Sequence, residues 1–196
     1  MRLDTPRLPP LRDDELDAEQ AEMVARFRKA GADFGLSRTF VRHPASLRAY
    51  NAWATHAFSS NNTLTPRERE IVIMRTVWRC KAAYQWSRHV GMGMRDGLTM
   101  EEIEALKRPV EQGGWAASDA ALIACVDALT ADHFVNDELW AELSSHFDDQ
   151  QCMDAILVCG RYVMASMLTN TLGTPIDHDV KLDPELDLRG RPFVLS

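Results

Sequence analysis

The fold is decided by the segment Thr65-Pro66-Arg67-Glu68, which marks the sharpest structural boundary in the chain. Threonine is a preferred helix N-cap, proline suits the first helical position, and glutamate three residues after the cap can bond back to the cap amide. The apolar residues that follow, as far as Val77, recur at the spacing of a helix. The segment therefore predicts a helix over 66–79.

Outward from this helix, caps and helical spacing continue in both directions. Alternating apolar and polar residues do not persist anywhere, and no Asn-Gly hairpin signal is present, so strands are not predicted. The sequence predicts a single all-α domain over 1–196, with about eight helices built around antiparallel hairpins, a motif-bearing core at about 44–132 and an irregular tail at about 176–196. The predicted helices cover roughly 13–30, 44–58, 66–79, 82–96, 100–108, 118–132, 136–147 and 149–170. Ser118, Asn136 and either Asp148 or Asp149 are the predicted N-caps of the last three.

Charge and apolar content exclude several classes of protein. The chain has 22 Lys and Arg against 29 Asp and Glu, a net charge of −7, so it lacks the basic stripe that nucleic-acid binding requires. Runs of consecutive apolar residues are far too short to span a bilayer, and the first residues have no apolar signal region. We expect a soluble, cytoplasmic protein that binds neither nucleic acid nor membrane.

The four cysteines, Cys80, Cys125, Cys152 and Cys159, form no C-x-x-C pair and no zinc-binding spacing. Cys152 and Cys159 lie two turns apart on one predicted helix, about 10 Å along its axis, which is too far for a disulfide. The thiols are predicted to be free and mostly buried. No metal site is predicted.

Glu70 and His89 are the candidate chemical groups, and each has two interpretations. Glu70 lies on the apolar stripe of its helix, where it is either an edge residue that reaches water or a buried acid/base group. His89 is either a structural histidine or a proton carrier. The predicted helix break near Cys80 lies ten residues after Glu70 and nine before His89. In an antiparallel hairpin both side chains would lie about 15 Å from the bend and face each other.

The chain resembles the carboxymuconolactone decarboxylase / AhpD-like family, in its longer members that lack the C-x-x-C pair. Three segments carry the resemblance in the order and spacing of the family: Leu64–Glu70, Ala83–His89 and Gly97–Ile103. It extends over nearly the whole chain through Arg7–Leu11, His43–Pro44 and Asn170–Asp177. It implies an all-α fold, no cofactor, and assembly as a homo-oligomer of two, three or six subunits.

Two activities are known in this family, and the sequence departs from both patterns. The AhpD-type alkylhydroperoxidases use a Glu, a C-x-x-C pair and a His, of which Glu70 and His89 match, whereas Ala82 and Gln85 occupy the cysteine positions. Without two thiols that peroxidase cycle cannot run. The lactone decarboxylases carry a Glu four residues before the His, and here that residue is Gln85, which cannot exchange a proton at neutral pH.

The resemblance and the residues together predict cofactor-free acid/base chemistry, a decarboxylation or related proton transfer, on a small carboxylated or lactone-type compound of aromatic catabolism. His89 would move the proton and Glu70 would tune or relay it. The predicted substrate-binding residues are Tyr84, Gln85 and Trp86, which would shape the pocket, and Arg88, which could hold a carboxylate.

Two alternatives remain open. One is a residual thiol peroxidase that uses Cys80, and the other is a non-catalytic oligomeric binding module whose inherited site has decayed.

Arg161 and Tyr162 lie in the middle of an apolar helix, where an arginine is expected to form a structural ion pair with a carboxylate.

Overall fold

The computed structural model describes residues 1–191, and this part of the chain is helical without strands. The predicted all-α class is confirmed. Nine α-helices are present there: α1 (Ala18–Lys29), α2 (Gly35–Phe40), α3 (Pro44–Ala57), α4 (Pro66–Arg79), α5 (Ala83–Arg95), α6 (Met100–Ala105), α7 (Ala117–Asp132), α8 (Asp137–His146) and α9 (Asp149–Leu172). Short 3-10 turns lie at Asp13–Glu15, Val110–Gln112 and Pro184–Leu186.

Helix α4 is the centre of the molecule, packed against α5, α7 and α9. Thr65 caps it through the predicted capping box: its hydroxyl accepts from the Glu68 amide at 3.3 Å, and the Glu68 carboxylate accepts from the Thr65 amide at 2.8 Å. Every residue from Arg69 to Val77 is buried, so the helix is covered on all sides and not only along one apolar stripe. Anything polar in this stretch must find its partners inside the protein.

A smaller apolar cluster lies beside the main core. Its buried members are Leu11, Val24, Val41 and Leu47, contributed by α1, α3 and the segments next to them. It joins α1, α2 and α3 to one another, and α9, which also packs on α4 and α5, contacts α3.

The first predicted helix begins later than expected. Asp13–Glu15 forms a separate 3-10 turn, and α1 starts at Ala18 because the Asp17 carboxylate accepts from the Gln20 amide at 2.8 Å. Asp17 is therefore the N-cap of α1, and the acidic residues at 13–15 lie before the helix and not in its first turn.

Helix α7 also departs from its predicted cap. It begins at Ala117 with Ala116 in the N-cap position, so Ser118 is inside the helix and does not cap it. The predicted caps of the next two helices are confirmed, since Asn136 accepts from Leu139 at 2.9 Å and Asp148 accepts from Gln151 at 2.9 Å.

Helix α2 was not predicted, because Gly35 is a residue that ends helices more often than it starts them. In the structure the Asp177 carboxylate accepts a hydrogen bond from the Gly35 amide at 3.0 Å. The helix start is thus satisfied by a side chain 142 residues away in the sequence. A cap supplied from such a distance leaves no local signal.

Helix α9 is long and apolar enough to cross a membrane by length and composition. In this fold 56% of its apolar window is buried against the other helices, which is typical of the central helix of a globular protein. Its outer face remains exposed, at Met153, Leu157 and Met167.

Two glycines on α5 give a matched test of this packing. A methyl group on Gly91 would meet nothing within 4 Å, whereas one on Gly93 would lie 3.1 Å from both Met74 Sδ and Leu98 Cδ1. We expect Gly91→Ala to raise the free energy of unfolding by about 0.5–1 kcal/mol through helix propensity. Gly93→Ala should be less stable than Gly91→Ala in urea denaturation. Equal stability of the two variants would contradict the close α4–α5 contact.

Candidate active site

A tight turn brings α4 and α5 together as an antiparallel hairpin. Lys81 has the left-handed conformation, with φ of 52°, and the Ala82 amide donates to the Val77 carbonyl at 2.8 Å. This reversal follows Cys80, where the sequence predicts the break. It places residues equally far from the turn side by side.

Glu70 and His89 meet inside this hairpin. The Nδ1 atom of His89 lies 2.8 Å from Oε2 of Glu70, and the two residues are 4% and 0% exposed. The predicted contact between these two side chains is confirmed, and the water-reaching position considered for Glu70 is wrong. The other carboxylate oxygen, Oε1, is buried without a hydrogen-bond partner among the described residues. His89 is therefore the side chain that compensates this acid.

Tyr162 on α9 completes the group, and we call Glu70, His89 and Tyr162 the triad. Its hydroxyl lies 3.0 Å from Nε2 of His89, and the two rings meet edge to face with centroids 5.0 Å apart. Burial raises the pKa of the Tyr162 phenol well above its usual value, so the phenol keeps its proton. In the tautomer that carries its proton on Nδ1, the imidazole donates to Glu70 and accepts from the Tyr162 O–H at Nε2.

Arg161, next to Tyr162 on α9, is 5% exposed and lies among aromatic rings instead of carboxylates. Its guanidinium carbon is 4.9 Å from the ring centroid of Tyr50, 5.9 Å from Phe58 and 4.7 Å from Tyr162. Its hydrogen bond is to the Tyr50 hydroxyl at 3.3 Å, and its Nε atom is buried without a partner. The expected carboxylate ion pair is therefore wrong: within residues 1–191 the cation is stabilised by π-systems.

Of the predicted pocket residues, Gln85 lies one turn before His89 on the same face of α5. Its side-chain nitrogen is buried and makes no hydrogen bond in the described part of the chain. Trp86 is buried against Trp78, with ring centroids 5.1 Å apart, and packs in the main core. Gln85 thus has an amide N–H without a hydrogen-bond partner among the described residues, on the face of α5 that carries His89, whereas Trp86 packs in the main core.

Tyr84 and Arg88 contact the C-terminal tail. The Tyr84 hydroxyl donates to Asp177 at 2.7 Å, and burial together with this carboxylate raises the pKa of its phenol. Arg88 binds Asp179 at 2.8 Å and stacks on the Phe34 ring, 3.8 Å from its centroid. Both side chains fasten the tail to α5 and α2, and their binding of substrate stays a prediction.

The cysteine thiols are free and hard to ionise. Cys125 and Cys159 are buried and Cys80 is partly buried, with no disulfide in the described residues. Burial raises the pKa of the Cys80 thiol, and burial raises the pKa of Cys159 to about 11. Because the thiolate is the reactive form, these environments suppress thiol chemistry at neutral pH.

No group of three or more His, Cys, Asp and Glu side chains in the described residues could hold a metal ion. Glu70 and His89 gain a tyrosine hydroxyl as their third member, and a phenol that keeps its proton is a donor and not an anionic ligand. The arrangement is suited to proton transfer along a line of hydrogen bonds.

Sequence reasoning missed Tyr162 and misjudged the surroundings of Arg161. A signal existed, since two adjacent polar side chains interrupt an otherwise apolar helix. The sequence did not indicate which neighbours the two side chains contact. Adjacent residues on a helix differ in azimuth by about 100°, and here they face different helices. Tyr162 points to α5, and Arg161 points to Tyr50 and Phe58 at α3.

Comparison with known proteins gives a match to a protein-family model and matches to solved structures. Residues 44–127 match the model of the carboxymuconolactone decarboxylase family, a range that includes Glu70 and His89 and ends before α9. Curated proteins yield no match to the sequence.

Solved structures share the fold at low sequence identity. An alkylhydroperoxidase AhpD core structure, an uncharacterized peroxidase-related protein from Ralstonia eutropha JMP134, is 19% identical over 95% of this chain and 97% of that chain, with a TM-score of 0.75. An uncharacterized peroxidase-related protein from Silicibacter sp. TM1040 is 18% identical over 90% and 92%, with a TM-score of 0.72. The debrominase Bmp8, as a variant in complex with 2,3,4-tribromopyrrole, is 11% identical over 89% and 94%, with a TM-score of 0.73. The predicted AhpD-like fold is confirmed.

The tail contact of Tyr84 gives a stability prediction. Tyr84→Phe removes the hydroxyl that donates to Asp177 and accepts from the Leu36 amide, so both partners lose a hydrogen bond in a partly buried place. We expect the free energy of unfolding to fall by about 1–3 kcal/mol. Asp179→Asn, at an exposed carboxylate of the same tail, is the control and should have a smaller effect in urea denaturation. Equal stability of Tyr84→Phe and the unmodified protein would contradict a structural role for this hydroxyl.

Proposed function

We propose, from the premise that residues 44–127 belong to the carboxymuconolactone decarboxylase family, that this AhpD-like protein is an enzyme of cofactor-free acid/base chemistry. Its substrate would be a small carboxylated or lactone-type compound, and its reaction a decarboxylation or a related proton transfer in the breakdown of aromatic compounds. The observation that supports it is the buried triad, a hydrogen-bonded line from carboxylate to imidazole to phenol.

The triad can move a proton without a change in its geometry. The Glu70 carboxylate bonds to Nδ1 of His89 and orients the ring, so that Nε2 faces the Tyr162 hydroxyl and can take its proton and return it. Burial raises the pKa of the Tyr162 phenol, so the phenol holds its proton before a substrate binds. Tyr162 is then the acid that gives its proton to the substrate, and His89 exchanges protons with Tyr162.

In a decarboxylation the bond between the ring carbon and the carboxylate breaks, CO2 leaves, and the electron pair remains on carbon as an enolate of the lactone. Tyr162 protonates that carbon, and His89 restores the phenol with a proton that ultimately comes from water. In a proton transfer without loss of CO2, the same groups remove a proton next to the lactone carbonyl and return it. Gln85, with its unpartnered amide nitrogen, can donate a hydrogen bond to the developing enolate oxygen.

The shape of the fold is compatible with a small ring as substrate, because the debrominase Bmp8 structure with this fold holds 2,3,4-tribromopyrrole. The thiol peroxidase alternative has less support. The thiols of this chain are held in their unreactive form by burial, and Ala82 and Gln85 occupy the positions of the peroxidase cysteine pair.

A non-catalytic binding module is the second candidate function, and one observation favours it. All three side chains of the triad are buried, at 0%, 4% and 2% exposed, so a substrate reaches them only if neighbouring side chains move aside. A decayed site would be closed in this way. The activity test below separates the two candidates.

We also propose a cytoplasmic homo-oligomer that associates through the outer face of α9. Exposed apolar residues recur there at spacings of four and three, which is the pattern of one helix packed on another. They are Met153, Leu157 and Met167, together with the open Gly160. Because the opposite face of α9 is already buried in the core, this helix is apolar all round, and its outer face is best satisfied by a second copy of the chain.

The test of function uses carboxymuconolactone as the probe in D2O, with NMR to follow deuterium incorporation and release of CO2. We expect His89→Gln to lower the rate by about 10²–10⁴-fold, because the imidazole is the triad member that bonds to both of the others and links them. Tyr162→Phe should lower it as well. His146→Gln, at an exposed histidine paired with Glu142 on α8, is the control and should react like the unmodified protein.

The outcomes are distinct. Equal rates for the unmodified protein and His89→Gln would reject the triad as the catalytic group. If the folded, unmodified protein shows neither exchange nor CO2 release with this probe, the binding-module candidate is favoured. Thermal melts of each variant by circular dichroism establish that the protein remains folded.

The test of assembly is the molar mass in solution. We expect the unmodified protein to elute as a multiple of its 22.1 kDa subunit in size-exclusion chromatography with light scattering, and Leu157→Asp to shift toward the monomer. The charge would be desolvated at the contact between the two α9 helices. Phe134→Asp changes an exposed apolar residue outside α9 and should leave the mass unchanged. A monomeric unmodified protein would contradict the proposed assembly.

A further inference from the structure

Arg161 carries a buried positive charge that the structure does not neutralise. Each other buried arginine of the core has a carboxylate partner: Arg75 binds Asp127 at 2.6 Å, and Arg69 lies 3.5 Å from Asp96. No carboxylate of the described residues forms an ion pair with Arg161, and its Nε is unpartnered. An unpaired cation is costly to bury, and π-systems recover only part of that cost.

The guanidinium is also directly beside the proposed chemistry. Its carbon lies 4.7 Å from the centroid of the Tyr162 ring, and the hydroxyl of that ring bonds to His89. Its charge stabilises negative charge near the phenol, because it opposes the rise in the Tyr162 pKa that burial causes. An anion held by Arg161 would therefore lie within one side chain of the proton donor.

Arg161 is also the link between the triad and the protein surface. Phe58, at the end of α3, is 40% exposed and covers the guanidinium, with 5.9 Å between its ring centroid and the guanidinium carbon. Displacement of this ring would expose the guanidinium, which packs on the Tyr162 ring. Arg69 flanks the same ring, 5.0 Å from its centroid, so two guanidinium groups border this entrance. The positive charge at the entrance favours an anionic ligand.

We infer that Arg161 is the carboxylate-binding residue of this site and selects small ring compounds that carry a carboxylate. The carboxylate would bind the free Nε side of the guanidinium, and the apolar body of the ligand would take the place of the Phe58 ring against Tyr50. The inference deepens the proposed function and rests on it, since it names the class of compound on which the triad acts. Arg88, predicted for this role from the sequence, already has Asp179 as its partner.

The probe is 2-furoate, a five-membered oxygen ring with one carboxylate, and its uncharged counterpart is 2-furamide. Binding to the full chain is measured by ligand-observed NMR at low ionic strength, so no turnover is needed. We expect 2-furoate to bind at least tenfold more tightly than 2-furamide. Arg161→Met should lower the 2-furoate affinity at least tenfold, and Arg161→Lys should have an intermediate effect because it keeps the charge but loses the planar fork.

Two controls separate this inference from the proposed function. Arg79→Met removes a half-exposed arginine of α4 and should bind 2-furoate like the unmodified protein. His89→Gln should still bind 2-furoate although it loses proton transfer. Methionine fits an aromatic cage, so Arg161→Met is expected to fold, and a thermal melt verifies this.

Each outcome decides the inference in one direction. Loss of 2-furoate binding in Arg161→Met with retention in Arg79→Met and His89→Gln supports it. Equal 2-furoate affinity in Arg161→Met and the unmodified protein, equal affinity for furoate and furamide, or no binding of 2-furoate to the unmodified protein would overturn it. Selective 2-furoate binding without any exchange of carboxymuconolactone protons would reject the proposed enzyme while leaving the anion site.

Discussion

The structure depends on one buried contact, the 2.8 Å hydrogen bond between Glu70 and His89. Glu70 lies in the middle of α4, the helix that every large element of the core packs against, and it has no exposed surface. A carboxylate in such a place destabilises the fold unless a donor faces it. His89 on α5 faces Glu70 because the two helices form an antiparallel hairpin. The packing of α4 on α5 therefore also fixes the positions of Glu70 and His89 relative to each other.

Two further buried polar side chains are arranged around this contact. Tyr162 satisfies the second nitrogen of the imidazole, and Arg161, its neighbour on α9, lies under aromatic rings between the triad and solvent. Negative charge is therefore deepest and positive charge is nearer the surface. In the proposed function, such a gradient would hold an anionic group outside the triad and direct the uncharged ring of the substrate toward Tyr162, which is the orientation that proton delivery to carbon requires.

The positions that carry two thiols in the AhpD-type peroxidases hold Ala82 and Gln85 here, and the hairpin is nevertheless intact. This follows from the packing: the helices are joined by the Glu70–His89 contact and by Gly93 against Met74, neither of which involves the thiol positions. The hairpin contact therefore does not depend on cysteines at these two positions.

Local chemistry in the sequence determined the helices, most of their caps, the reversal near Cys80 and the meeting of Glu70 with His89, because caps and helical spacing act over a few residues and a hairpin fixes which positions face each other. Only the tertiary structure decided what depends on distant segments. Asp177 starts α2 and binds Tyr84 from the far end of the chain, and the rotation of α9 decides that Tyr162 meets the imidazole while Arg161 meets aromatic rings. Neither leaves a local pattern, since the partners are separated by up to 142 residues and meet only when the core packs.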